Sequence, residues 1–147
     1  MKPTEEKTLL KLDSLKNGFK KLTLLRNKKL EISSLNGSLT YVIKDNSSTN
    51  VIVFDYAINQ DQVAYDGGYR EEIVFEVPND EAERSYLNEE LENANMLFGR
   101  YCNCRGQNGL FKVSQGKLHI NSSKTETHFE LQFKINEVPQ VIDNIIY

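Results

Sequence analysis

The sequence predicts a mainly β (α+β) domain with about nine or ten antiparallel strands in two meanders, forming a curled barrel or a sandwich. Three observations carry this. Apolar residues recur at alternate positions through much of residues 19–77 and 109–135. Turn signals such as Asn36-Gly37, Asp66-Gly67-Gly68 and Gln115-Gly116 separate the apolar runs. The intervening loops are too short for helical crossovers, and a twisted sheet of this size curls or splits into two layers. A chain of 147 residues, 39% apolar and 27% charged, suits a single globular domain with a core that needs no disulfide or metal.

Residues 1–18 read as a helix and tether, and residues 19–147 as the β-rich domain. In "TEEKTLLKLDSLKNG", Thr4 suits an N-cap, with Glu5 and Glu6 in the first turn. Leu9, Leu12 and Leu15 fall near one face, and Gly18 suits the stop. From Gly18 the period becomes two. Asn27-Lys28 reads as a turn that sets Leu25 opposite Leu30. Asn36-Gly37 reads as a two-residue I′ turn, which sets Ser34 opposite Leu39, Ile32 opposite Tyr41 and Leu30 opposite Ile43.

In "NVIVFDYAI", Ile52, Phe54, Tyr56 and Ile58 share one face, and Val51, Val53, Asp55 and Ala57 the other. In "YREEIVFEV", Ile73, Phe75 and Val77 alternate with Glu72, Val74 and Glu76, and Pro78 ends the strand because it has no N–H to donate. "NDEAERSYLNEELENANML" reads as a helix near residues 80–95 between the meanders. Asp80 and Glu83 have the capping-box spacing, and Leu87, Leu91 and Ala94 form the apolar stripe.

The last third returns to strands. A turn at Gln115-Gly116 sets Val113 opposite Leu118 and Lys112 opposite His119. A turn at Ser123-Lys124 sets Leu118 opposite Phe129 and His119 opposite His128. "HFELQFKI" buries Phe129, Leu131, Phe133 and Ile135, and "VPQVIDNIIY" supplies a last edge strand.

The charge comes in blocks. Residues 1–30 carry nine Lys/Arg against three Asp/Glu, residues 55–92 twelve acids against two arginines, and residues 93–125 five basic residues and no acid. The net charge of −3 argues against general nucleic-acid binding. There is no apolar run long enough for a transmembrane helix. "MKPTEEK" lacks the apolar core of a signal peptide, so the chain is expected either in the cytosol or as an exported chain after removal of its signal. We favour the latter: a secreted, periplasmic or lipoprotein domain.

Phosphate-binding glycine loops, the H-E-x-x-H zinc motif and the G-x-S-x-G elbow are all missing. With only two histidines, a histidine-rich metal cage is excluded. The acids Asp55, Asp61, Asp66, Glu71, Glu72 and Glu76 lack EF-hand spacing and read as a solvated face.

The chemistry-bearing candidates are Cys102, Cys104, His119 and His128, and their grouping depends on register. With Asn108-Gly109 as a two-residue loop, both cysteines face the core with Val113. With a loop from Arg105 to Gly109, they turn outward and join Lys112, His119 and His128 in one row, the outward reading sparing Arg100 an unpaired burial. Two imidazoles with thiolates would suit zinc or copper. A C-x-C disulfide would need a bulge, since alternate strand residues sit roughly 6.5–7 Å apart at Cα. Arg100, Arg105, Lys112 and Lys117 are candidates for a basic binding surface.

The expected function is therefore a non-catalytic β-rich binding or structural domain with an unidentified protein or small-molecule partner and no required cofactor. The alternatives are a barrel-type carrier of a small apolar ligand, and a thiol/histidine metal-binding or redox protein.

Overall fold

A computed structural model describes residues 6–13, 18–58, 68–102 and 105–147. The strands are β1 (Glu6–Asp13), β2 (Gly18–Leu25), β3 (Lys28–Leu35), β4 (Ser38–Asp45), β5 (Thr49–Ile58), β6 (Tyr69–Pro78), β7 (Ala82–Leu87), β8 (Leu97–Cys102), β9 (Gly109–Lys112), β10 (Gly116–Ser122), β11 (Thr127–Phe133) and β12 (Asn144–Ile146). They form a six-stranded sheet in the order β1-β2-β5-β6-β8-β9, a four-stranded sheet in the order β12-β11-β10-β7, and the separate hairpin β3-β4. Among the described residues all pairings are antiparallel and no sheet closes, so the architecture is a sandwich with a hairpin as a partial third layer.

The alternation seen in the sequence sorts side chains onto the two faces of the large sheet. Ile52, Phe54, Tyr56, Ile73, Phe75, Val77 and Phe98 meet Leu118, Ile120, Phe129, Leu131 and Phe133 from the small sheet. Phe75 meets Phe129 edge to face at 5.1 Å, and Phe98 meets Phe133 at 5.8 Å. On the reverse face, Val51, Val74 and Leu97 are covered by Leu30 of the hairpin. Burial of each of these large side chains is worth about 1.5–3 kcal/mol.

The Asn36-Gly37 hairpin forms in the expected register, with Asn36 at φ 53° and Gly37 at φ 82°. The turn at Asn27 does not make a second hairpin. Leu25 pairs with Glu6 and Val51, whereas among the described residues β3 pairs only with β4. Asn27 takes φ 58° and turns the chain out of the sheet. Its N–H donates to Asn50 Oδ1 at 2.9 Å, its side-chain oxygen accepts from Asn79 Nδ2 at 2.8 Å, and its carbonyl accepts from Asn46 N at 3.0 Å. This knot of asparagines sends β3-β4 over the face of the sheet and lets β5 pair directly with β2.

The expected N-terminal helix is instead a strand, β1, paired with β2 along its whole length. Thr8, Leu10 and Leu12 fit period two as well as Leu9 and Leu12 fit a helix, and a short isolated helix is marginal while an open sheet edge offers a full ladder. The helix expected near residues 80–95 is half strand. β7 pairs with β10, and a 3₁₀ helix occupies only Asn88–Ala94. Asn88 at φ 54° is incompatible with a continuous helix. Leu91 and Ala94 are buried as expected, but Leu87 is 56% exposed.

The Gln115-Gly116 hairpin is also absent. β9 pairs with β8 in the large sheet and β10 with β7 and β11 in the small one, so residues 113–115 carry the chain between layers. The two expected meanders are thus one large sheet with excursions into the hairpin and the second sheet.

Candidate functional site

The outer face of the four-stranded sheet is ordered by register into rows. Leu87, Lys117, Gln132 and Asn144 form one, and Ser85, His119, Glu130 and Ile146 the next. The third joins Glu83, Asn121 and His128. Two depressions lie here, of about 430 Å³ and about 330 Å³, sharing His119, Glu130 and Ile146 as lining. Ser85, Lys117 and Gln132 belong to the larger, Asn121 and His128 to the smaller.

His119 is the best-connected side chain on this face. Its Nδ1 lies 2.7 Å from Ser85 Oγ and its Nε2 lies 3.1 Å from Glu83 Oε2. His128 does not face it. The loop after β10 spans residues 123–126, so His119 opposes Glu130 and His128 opposes Asn121. The Ser123 hydroxyl accepts the N–H groups of Thr125 and Glu126, and the Ser123 N–H donates to the Glu126 carbonyl at 2.7 Å, which stabilises the longer turn. That loop shifts the register by two residues, which keeps every side chain on its expected face but changes its partner. His128 instead contacts Glu126 at 3.1 Å.

Neither register foreseen for the cysteine hairpin occurs. β8 and β9 pair Leu97 with Lys112, Phe98 with Phe111 and Arg100 with Gly109. The parity is that of the core-facing alternative. Arg100 lies on the same face as Phe98 and is 8% exposed, but it is paired. It donates to the Tyr69 hydroxyl and to the Gln107 carbonyl and side chain, each at 3.2 Å. The argument from an unpaired arginine therefore fails because Tyr69, 31 positions away, and Gln107, in the connection to β9, supply its acceptors. Cys102 is disulfide-bonded and its N–H donates to Asn108 Oδ1 at 2.8 Å. Cys104 lies outside the described residues. Lys112 sits opposite Leu97 on the other face, in a different sheet from His119, so the row of Lys112, His119 and His128 does not form.

Arg105 is exposed in a turn and Lys117 is exposed on the small sheet, so the structure does not gather Arg100, Arg105, Lys112 and Lys117 into one surface. Among the described residues, no three His, Cys, Asp or Glu side chains are placed to hold a metal ion.

The acids of β6 are not the solvated face their composition implies. Glu71 is fully buried and accepts N–H bonds from Val141 at 2.6 Å and Ile142 at 2.8 Å, together with the Tyr69 hydroxyl. Burial and this bond hold the Tyr69 phenol up at about 12. Glu72, on the opposite face, accepts from the Tyr41 hydroxyl at 2.7 Å and from Tyr101 at 3.4 Å. It sits directly opposite Asp55, which pairs with Arg70 at 3.1 Å. Burial first, and then the Glu72 charge, raise the Asp55 carboxyl above its ordinary value. Asp61 and Asp66 lie outside the described residues. Apart from Tyr69, two positions from Glu71, these partners lie 15 to 71 positions away, and no local pattern announces them.

No protein-family model, no curated protein and no solved structure matches this chain. Among the described residues, no helix is long and apolar enough to cross a membrane.

Proposed function

We propose that the chain is a β-sandwich binding module that offers the outer face of its four-stranded sheet to a protein or small-molecule partner. The observation that carries this reading is the larger depression, about 430 Å³, where Ser85, Lys117, His119, Glu130, Gln132 and Asn144 supply both donors and acceptors. Exposed apolar side chains stand nearby, Ile146 at 70% and Leu87 at 56% exposure. A polar floor beside isolated apolar contacts is a combination that recognition sites use.

The two other readings have weaker support. A carrier needs an interior cavity, but the space between the sheets is filled by Tyr56, Phe75, Phe98 and their neighbours, all fully buried. A thiol/histidine metal site needs a thiolate, which the disulfide at Cys102 withholds.

The test is a screen of peptide and glycan arrays with the wild-type chain, a Lys117→Glu/His119→Ala variant, and a Lys44→Glu variant on the hairpin. The proposal expects a ligand whose signal falls at least about tenfold in the first variant, the loss of about 1.4 kcal/mol of contact, and persists in the second. Binding indifferent to the first variant, or no binding on any array, overturns it.

A further inference from the structure

We propose that Ser85 is a nucleophilic serine, activated by His119 and Glu83, that accepts acyl groups from small carboxylic esters. Three side chains from two strands make the arrangement. β7 and β10 pair so that Ser85 lies directly opposite His119, and Glu83 lies two residues along on the same face. Ser85 Oγ is 2.7 Å from His119 Nδ1, and Glu83 Oε2 is 3.1 Å from Nε2. A nucleophile within hydrogen-bond reach of a base, with a third group orienting that base, is the arrangement that activates a serine hydroxyl.

The carboxylate also selects the tautomer. An ionised carboxylate only accepts, so the imidazole nitrogen facing Glu83 carries the proton. Nδ1 then presents its lone pair to the Ser85 hydroxyl, which donates to it. The two ring nitrogens exchange their usual roles, but the requirement is the same: one accepts from the serine while the other donates to the acid.

The cluster opens into the depression of about 430 Å³, with Lys117 two residues from His119 on the same face and Ile146 on the far wall. The Lys117 ammonium supplies positive charge where a carbonyl oxygen turns into an oxyanion. The site is a shallow surface feature, so it suits a short acyl chain rather than a folded peptide. Unlike a G-x-S-x-G elbow, this cluster arises only from cross-strand register, which is why no local motif reveals it.

The reaction balances with water alone. Ser85 Oγ bonds to the ester carbonyl carbon while its proton passes to His119 Nδ1. The tetrahedral oxyanion collapses, the ester C–O bond breaks, and His119 returns the proton to the departing alkoxide. Water then attacks acyl-Ser85 by the same route, releasing the carboxylic acid and restoring the hydroxyl.

The experiment treats the full chain with an alkyl fluorophosphonate, which phosphonylates activated serines, and locates the adduct by peptide mass spectrometry. Hydrolysis of 4-nitrophenyl acetate is followed in parallel. We expect one adduct, on Ser85, no hydrolysis above background in Ser85→Ala, and a loss of about a hundredfold in His119→Ala. Added free imidazole should restore labelling in His119→Ala, a response that a structural role for the histidine would not give. Unaltered melting of each variant shows that the fold is kept. An unlabelled wild-type chain, labelling confined to another residue, or hydrolysis that survives Ser85→Ala overturns the proposal.

Discussion

Replacing Glu71 with Ala should detach the C-terminal segment from the large sheet. The carboxylate is fully buried and accepts from the N–H groups of Val141 and Ile142 at 2.6 and 2.8 Å. Removing it strands two backbone donors, each costing about 1–3 kcal/mol if left unpaired. Water reaches Val141, which is 37% exposed, more easily than buried Ile142, so the lower half of that range applies and the total is about 3 kcal/mol. For a chain of this size that corresponds to a fall in melting temperature of roughly 6–12 °C. Glu71→Gln keeps one acceptor oxygen and should lose about half as much. Urea titration measures the loss, and hydrogen exchange should show the amides of Val141 and Ile142 released first. Glu72→Ala, on the other face, should leave those two amides protected. A loss below about 0.5 kcal/mol in Glu71→Ala, or unaltered exchange at Ile142, would refute the reasoning.

Asp55 has a folded-state carboxyl raised by burial and by Glu72, so the folded chain holds this proton more tightly than the unfolded chain. Its contribution therefore favours folding more as pH falls from neutral into the carboxylate range. Asp55→Asn should compare better with wild type at neutral pH than near pH 4 by urea titration, and the opposite ordering would count against the assignment. Gly116→Ala should cost more than Gly37→Ala. Both have positive φ, but a Cβ at Gly116 would lie 2.1 Å from the Gln132 carbonyl oxygen, whereas at Gly37 it meets nothing within 4 Å. The Gly37 change should cost about 1 kcal/mol from backbone strain alone, and equal melting of the two variants would contradict this. Leu118→Ala, at a fully buried position, should lose about 2–5 kcal/mol, and a smaller loss would show that the sheet interface is less tightly packed.

Face assignment was more legible than pairing. Period two put Ile52, Phe54 and Tyr56 on one side of β5 and Val51 and Val53 on the other, as the structure has them. Asn36-Gly37 gave a correct register because its turn type demands both residues and nothing else competes. Asn27 has the same positive φ, but partners 19 to 52 positions away decide that it leaves the sheet. The segments of β1 and β7 fit a helical period as well as period two because they are short, and the choice falls to whichever sheet edge needs a neighbour. The candidate site was half legible. Alternation puts His119 on the outer face, but a four-residue loop sets Glu130 instead of His128 opposite it, and the segment holding Ser85 fits a helical period as well as a strand.

The arrangement of β7, β10 and β11 underlies both the binding face and the serine. The most direct measurement is a nuclear Overhauser spectrum of the labelled chain that maps the strand neighbours of His119. The predicted result is backbone contacts from His119 to Ser85 on one side and to Glu130 on the other. Contacts from His119 to His128 directly opposite, with no contact to Ser85, would contradict it and remove both proposals together.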